Sequence, residues 1–94
     1  MILRWTGPAN ADRRRIRDYI GRDNPQAALN LQEQLGRKAA LLIDNPFLGP
    51  PGQIPGTREL VAHPSYRLIY NVRGDTVRIL RVLHTARRWP PVRG

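Results

Sequence analysis

Apolar residues recur along this chain with two different periods. Ala28, Leu31, Leu35, Ala39 and Leu42 follow one another at three- and four-residue spacing, which predicts one buried stripe on a helix reaching to about Ile43. Asn24-Pro25 is a start signal for it, because an asparagine side chain can accept from orphan N–H groups at the N-cap and proline fits the first helical position. Upstream, Ile16, Tyr19 and Ile20 stand at i, i+3 and i+4 and predict a first helix over Ala9 to Gly21. Only Gly21 to Asp23 separates the two helices, so they should fold back as a hairpin.

The remaining segments are β-type. Met1 to Trp5 is a short apolar run stopped by Gly7-Pro8, a first strand. Asp44 to Thr57 holds four prolines and three glycines and can be neither helix nor central strand. Arg58 to His63, Tyr66 to Val72 and Val77 to His84 are rich in Val, Ile, Leu and Tyr, and Pro64-Ser65 and Arg73-Gly74-Asp75 part them as antiparallel hairpins. The order β-α-α-β-β-β predicts an α+β fold, a helical hairpin on one face of a twisted antiparallel sheet, in one domain over residues 1–94.

Alternation assigns side chains to faces. Tyr66, Leu68, Tyr70 and Val72 should face the helices and Arg67, Ile69 and Asn71 should point away. In the last run Val77, Ile79, Arg81 and Leu83 should oppose Arg78, Leu80, Val82 and His84; both sets are largely apolar, so this strand should be central. Arginines there are costly to bury unpaired, which makes Arg78 and Arg81 lip residues or partners of a carboxylate such as Glu59. The Arg13 to Arg15 run reads as a solvated helix face.

Charge then narrows the function. The chain carries 16 Lys and Arg against 7 Asp and Glu, a formal +9, and all but one of the basic residues are arginine. A G+C-rich genome would explain that ratio but not the net excess. Residues 57–94 hold eight basic and two acidic side chains, so the C-terminal sheet is the cationic part and calls for phosphates or an acidic protein. Without cysteine there is no disulfide, thiolate nucleophile or Cys-based metal site, and His63 and His84 lack carboxylates at zinc-site spacing, so no metal or other cofactor is expected. No apolar run approaches the roughly 20 residues that span a bilayer, which points to a cytoplasmic protein.

GTREL at Gly56 to Leu60, YRLIYNV at Tyr66 to Val72 and VLHTARRWP at Val82 to Pro90, with DNPQAA at Asp23 and NPFLG at Asn45, together resemble the RelE/ParE superfamily of type II toxin-antitoxin modules over nearly the whole chain. The resemblance implies a RelE-like fold and a cognate antitoxin that wraps around the toxin, and an acidic, partly disordered antitoxin would suit the +9 charge. It also implies one of two activities. RelE-like members are metal-independent, ribosome-dependent endoribonucleases, or mRNA interferases; ParE-like members inhibit DNA gyrase and cut nothing.

For cleavage, which we rank first from the sequence, Arg67 and Arg87 stand where nucleases of this kind carry phosphate-binding arginines. His84 would be the proton shuttle, or else would cap the strand end through a backbone hydrogen bond. Arg58, Arg88 and Trp89 are the candidate substrate contacts, Trp89 by stacking on a base. The lysines of several RelE-like enzymes and a tyrosine after the last strand are absent, so gyrase inhibition stands as the alternative, with Arg87 to Gly94 as its contact segment.

Overall fold

The computed structural model describes residues 1–91. Strand β1 (Ile2–Trp5) is followed by helices α1 (Gly7–Gly21) and α2 (Pro25–Asp44), then by strands β2 (Arg58–His63), β3 (Tyr66–Arg73) and β4 (Thr76–His84). The sheet order is β1-β4-β3-β2. β2, β3 and β4 form an antiparallel meander, whereas β1 lies parallel to β4, so the sheet is mixed and not antiparallel throughout. The helical excursion between β1 and the meander makes this possible, since parallel neighbours need a long crossover.

Local chemistry starts and stops these elements. Asn24 caps α2, its Oδ1 accepting from the Ala27 N–H at 3.0 Å, and all five residues of the expected stripe are buried. α1 begins at Gly7, two residues before the expected start: Thr6 Oγ1 accepts from the Ala9 N–H at 3.3 Å, and Pro8 sits in the first turn where its missing N–H costs nothing. In the β3–β4 hairpin Gly74 has φ +57°, the left-handed conformation a two-residue turn needs at its first position.

The core lies between the helices and the inner face of the sheet, where Leu35, Ala39 and Leu42 pack with Leu68, Tyr70, Val77 and Ile79. Tyr70 is wholly buried, and its hydroxyl donates to the Pro46 carbonyl at 2.8 Å and accepts from the Gly49 N–H at 2.9 Å. It thereby pins the proline-rich loop to β3. A side chain at position 49 would stand 2.9 Å from both the Glu59 carbonyl oxygen and the Tyr70 ring, so only glycine admits this approach.

Two sequence expectations fail here for physical reasons. Tyr19 is 71% exposed; the buried residues of α1 are Ala9 and a carboxylate, Asp12. In β4 a bulge intervenes, because Ile69 pairs with Arg81 while Tyr70 pairs with Ile79, leaving Leu80 without a rung. The alternation changes phase across it. Val82 therefore joins Val77 and Ile79 in the core, and Leu83 stays opposite Arg67 on the face away from the helices.

Candidate functional site

The arginines of the sheet fall into two sets by what they touch. Arg81 belongs to the first. β1 ends at Trp5, opposite Ile79, and beyond that point β4 has no strand neighbour on this side. Asp12, 2% exposed, reaches in from α1, accepts from the Val82 N–H at 2.9 Å and holds the Arg81 guanidinium by two hydrogen bonds of 2.7 and 3.0 Å. Burial opposes the charged carboxylate, but the bonds from Arg81, the Val82 N–H and Arg15 outweigh it and hold the Asp12 carboxyl below the ordinary carboxylate range. The hydrogen bond to the Asp12 carboxylate, with its charge, in turn raises Arg81 above the usual guanidinium value. The carboxylate partner of Arg81 is thus Asp12 and not Glu59.

Arg13 is also held, contrary to the expectation of a solvated face. Its guanidinium lies 4.3 Å from the Trp5 ring centre and donates to Gln32 Oε1 at 2.9 Å, while Gln32 Nε2 donates to the Arg13 carbonyl, tying α1 to α2. Burial pushes Arg13 below its usual value.

Arg67 points away from the helices, as alternation requires, and is 17% exposed. Its Nη1 donates to the Thr85 carbonyl at 3.2 Å and its Nη2 to the Arg87 carbonyl at 2.8 Å, so it straps the segment after β4 onto the sheet. Its Nε is 3.2 Å from Glu59 Oε1 but is not aligned for a hydrogen bond. Glu59 is set by its own neighbours, Oε2 accepting from the Gln53 N–H at 3.2 Å.

Above Arg67 opens a cleft of about 610 Å³ lined by Gln53, Glu59, Arg67, Arg87, Arg88 and Trp89. Trp89 is half-buried, its ring centre 5.4 Å from the Arg81 guanidinium and its indole N–H buried without a partner among the described residues. Ile69 and Leu83 are 1% and 2% exposed although they lie on the outward side, so this end of that face is covered. Arg87 and Arg88 are exposed, and their side chains make no ion pair or hydrogen bond among the described residues.

Arg67, Arg87, Arg88 and Trp89 are therefore brought together, and two other candidates are not. Arg58 donates to the Gly49 carbonyl at 2.8 Å and lies over the Phe47 ring at 4.9 Å, so its side chain holds the proline-rich loop and does not line the cleft. His84 pairs with Tyr66, on the side of the sheet opposite Arg67, and lines a separate groove with Tyr19, Tyr66 and Arg87. Its Nδ1 accepts from the Ala86 N–H at 3.1 Å, which puts the proton of the neutral ring on Nε2. His63 makes the equivalent bond to the Ser65 N–H in the preceding turn.

Sequence reasoning missed Asp12 and the Glu59–Arg67 contact. Asp12 lies one turn before Ile16 on the apolar stripe of α1, and an acid on such a stripe is a readable sign of a buried partner. Glu59 could be assigned to Arg67 only with the β2–β3 register, where Val61 opposes Arg67 and Glu59 sits two positions along on the same face. Among the described residues no group of three or more His, Cys, Asp or Glu could hold a metal ion, and no helix is long and apolar enough to cross a membrane.

A helical hairpin on this four-stranded sheet, with a basic segment folded over its outer face, is the architecture of a RelE/ParE-superfamily toxin. The sequence profile of the ParE toxin of type II toxin-antitoxin systems matches residues 3–89, and the chain belongs to that family. Curated relatives include toxin Y4kP of Sinorhizobium fredii, 38% identical over 91 residues that cover 96% of this chain and 94% of that one. Toxin RelE2 of Caulobacter vibrioides is 40% identical over 83 residues, 88% of this chain and 93% of the relative. Among solved structures, the chromosomal ParDE system from P. aeruginosa superposes with a TM-score of 0.80 at 28% identity, covering 89% of this chain and 95% of that one. The YoeB/ParE toxin from Agrobacterium tumefaciens, with a TM-score of 0.62 at 17% identity over 89% and 98% of the two chains, shares the fold. A type II toxin implies an antitoxin as partner.

Proposed function

We propose that this toxin arrests its target by binding and not by cutting RNA, as a ParE-like inhibitor of DNA gyrase in the cytoplasm. The observation that supports this reading is the separation of His84 from Arg67. In-line cleavage at a phosphate without a metal requires proton transfer and cationic stabilisation at the same phosphorus. Here the imidazole lies on one side of the sheet with Nδ1 already accepting a backbone N–H, and Arg67 lies on the other with two carbonyls and a carboxylate around it. Arg87, Arg88 and Trp89 would then contact the target, and Arg67 would present them. Residues 92–94, also expected in this contact, lie outside the described residues. The antitoxin that neutralises the toxin would be acidic and partly disordered, matching the +9 charge.

One observation favours mRNA cleavage on the ribosome instead. Arg87 lines both the cleft of Arg67 and the groove of His84, so it is the residue that adjoins both candidate groups. Induction without antitoxin separates the readings. Intact mRNA 5′ ends together with loss of gyrase supercoiling are expected; site-selective mRNA cuts with normal supercoiling would overturn gyrase inhibition and assign cleavage.

A further inference from the structure

The outward face of the sheet carries a second group of arginines, away from the cleft. Arg4 lies between Leu3 and Trp5 and Arg78 between Val77 and Ile79, all four of which pack toward the core, so both arginines point outward. The parallel register sets Arg4 directly beside Arg78, and the antiparallel register sets Asn71 on Arg78's other side. Arg73 flanks them two rungs on, paired with Thr76. Like charges at directly opposed positions of a sheet repel.

Nothing in the described chain relieves that repulsion. Arg13, Arg58, Arg67 and Arg81 each have carbonyl, amide or carboxylate acceptors, whereas the guanidinium groups of Arg4, Arg73 and Arg78 make no hydrogen bond or ion pair among the described residues. Glu59 is at Arg67, and the Asp75 carboxylate accepts from the Thr76 hydroxyl and makes no ion pair. Arg78 is half-buried, and the amide oxygen of Asn71 beside it is buried without a partner. A half-buried guanidinium beside a second one, neither bonded to an acceptor among the described residues, leaves N–H forks open to an external anion.

We propose that Arg4 and Arg78, flanked by Arg73, form a second anion site on this toxin, and that it takes backbone phosphates of a nucleic-acid strand. A guanidinium fork matches phosphate oxygens bidentately, and two forks at one register can close on a single phosphate or two adjacent ones. The Arg67 row lies four rungs further along β4 once the bulge is discounted, about 13 Å away at about 3.3 Å per residue. A strand stacked as in a duplex, rising about 3.4 Å per nucleotide, covers that distance in roughly four nucleotides, and an extended strand in fewer. Trp89, on the same face, offers a ring for an intervening base. The site goes beyond gyrase inhibition and does not depend on it, because it predicts direct binding with gyrase absent.

The test uses the full chain with labelled 12-mer single-stranded DNA, single-stranded RNA and duplex DNA in fluorescence anisotropy across a salt series, with poly-glutamate in parallel. The paired variant Arg4→Gln with Arg78→Gln should weaken single-strand binding about tenfold or more and flatten the log–log salt slope by about 1.4, two phosphate contacts of about 0.7 each. Its thermal midpoint should hold or rise as the repulsion is removed, which separates lost binding from lost folding. The three oligonucleotides rank the sources of phosphate. An unchanged salt slope would overturn the site, and loss of poly-glutamate binding with oligonucleotide binding intact would assign it to an acidic protein instead. A supercoiling defect that persists in this variant leaves gyrase inhibition standing, so the two readings fail separately.

Discussion

Arg81 and Arg87 are six residues apart and the same amino acid, yet the molecule uses them in opposite ways. Arg81 lies at a bulge where β4 has lost its strand neighbour, and a buried carboxylate from α1 satisfies both its guanidinium and the next backbone N–H. Arg87 lies past the strand end, strapped by its carbonyl while its side chain stays in solvent. The first stabilises the fold because its partner is desolvated and fixed; the second is open to an external anion because no group among the described residues claims its side chain. Among these arginines the partner, not the residue type, decides which side chains the fold itself engages.

The largest break in this contrast should come from Asp12→Ala, which orphans Arg81 and the Val82 N–H together. It should cost about 3 kcal/mol of unfolding free energy. Urea unfolding would show this as a lower midpoint at unchanged slope, and a loss below about 0.5 kcal/mol would remove the pair from the anchors of the fold. The pH dependence has a definite sign. Because the folded-state pKa of Asp12 is depressed, its contribution is complete above the unfolded value of about 3.9 and is lost as pH falls through the folded value. Stability attributable to this group should therefore be flat above about pH 5 and decline in acid, and Asp12→Asn should flatten that decline.

Arg67→Ala sits between the two extremes. Losing its bonds to the Thr85 and Arg87 carbonyls should cost about 1–2 kcal/mol. It should also loosen the segment carrying Trp89, seen as red-shifted emission in a Trp5→Phe background, and abolish toxicity with it. Native stability and unshifted emission with toxicity lost would instead put Arg67 directly on the target. Arg87→Ala with Arg88→Ala should change stability by less than about 0.5 kcal/mol, since both side chains are exposed and make no ion pair among the described residues, yet remove growth arrest. The smallest effect should be His84→Gln. Under gyrase inhibition it leaves toxicity within about threefold of the parent, whereas a fall of 10²-fold or more, the usual share of a general acid or base, would restore His84 to catalysis.

Much of the architecture was legible because its causes are local. The buried stripe of α2 follows from a 3.6-residue period, Asn24 caps because an asparagine side chain can reach an N–H three residues on, and Gly74 marks a tight hairpin. Alternation placed Arg67 on the outward face for the same reason. It failed at Leu80, because a bulge lets one residue drop out of a ladder, and the strand carries no glycine or proline to announce it. His84 and Arg67 then fell on opposite sides, a result that depends on β3–β4 pairing and on the turn after β4.

By itself, the sequence determined the elements, their order, the cationic character of the C-terminal sheet and membership of a toxin superfamily, since each rests on periodicity, turn chemistry, charge count or short motifs. The tertiary structure alone decided which arginines are spoken for. Asp12 and Arg81 are 69 residues apart, and Arg67 meets the Arg87 carbonyl across 20. A charge is neutralised by what lies within a few ångströms of it, and that neighbourhood exists only after the chain has folded.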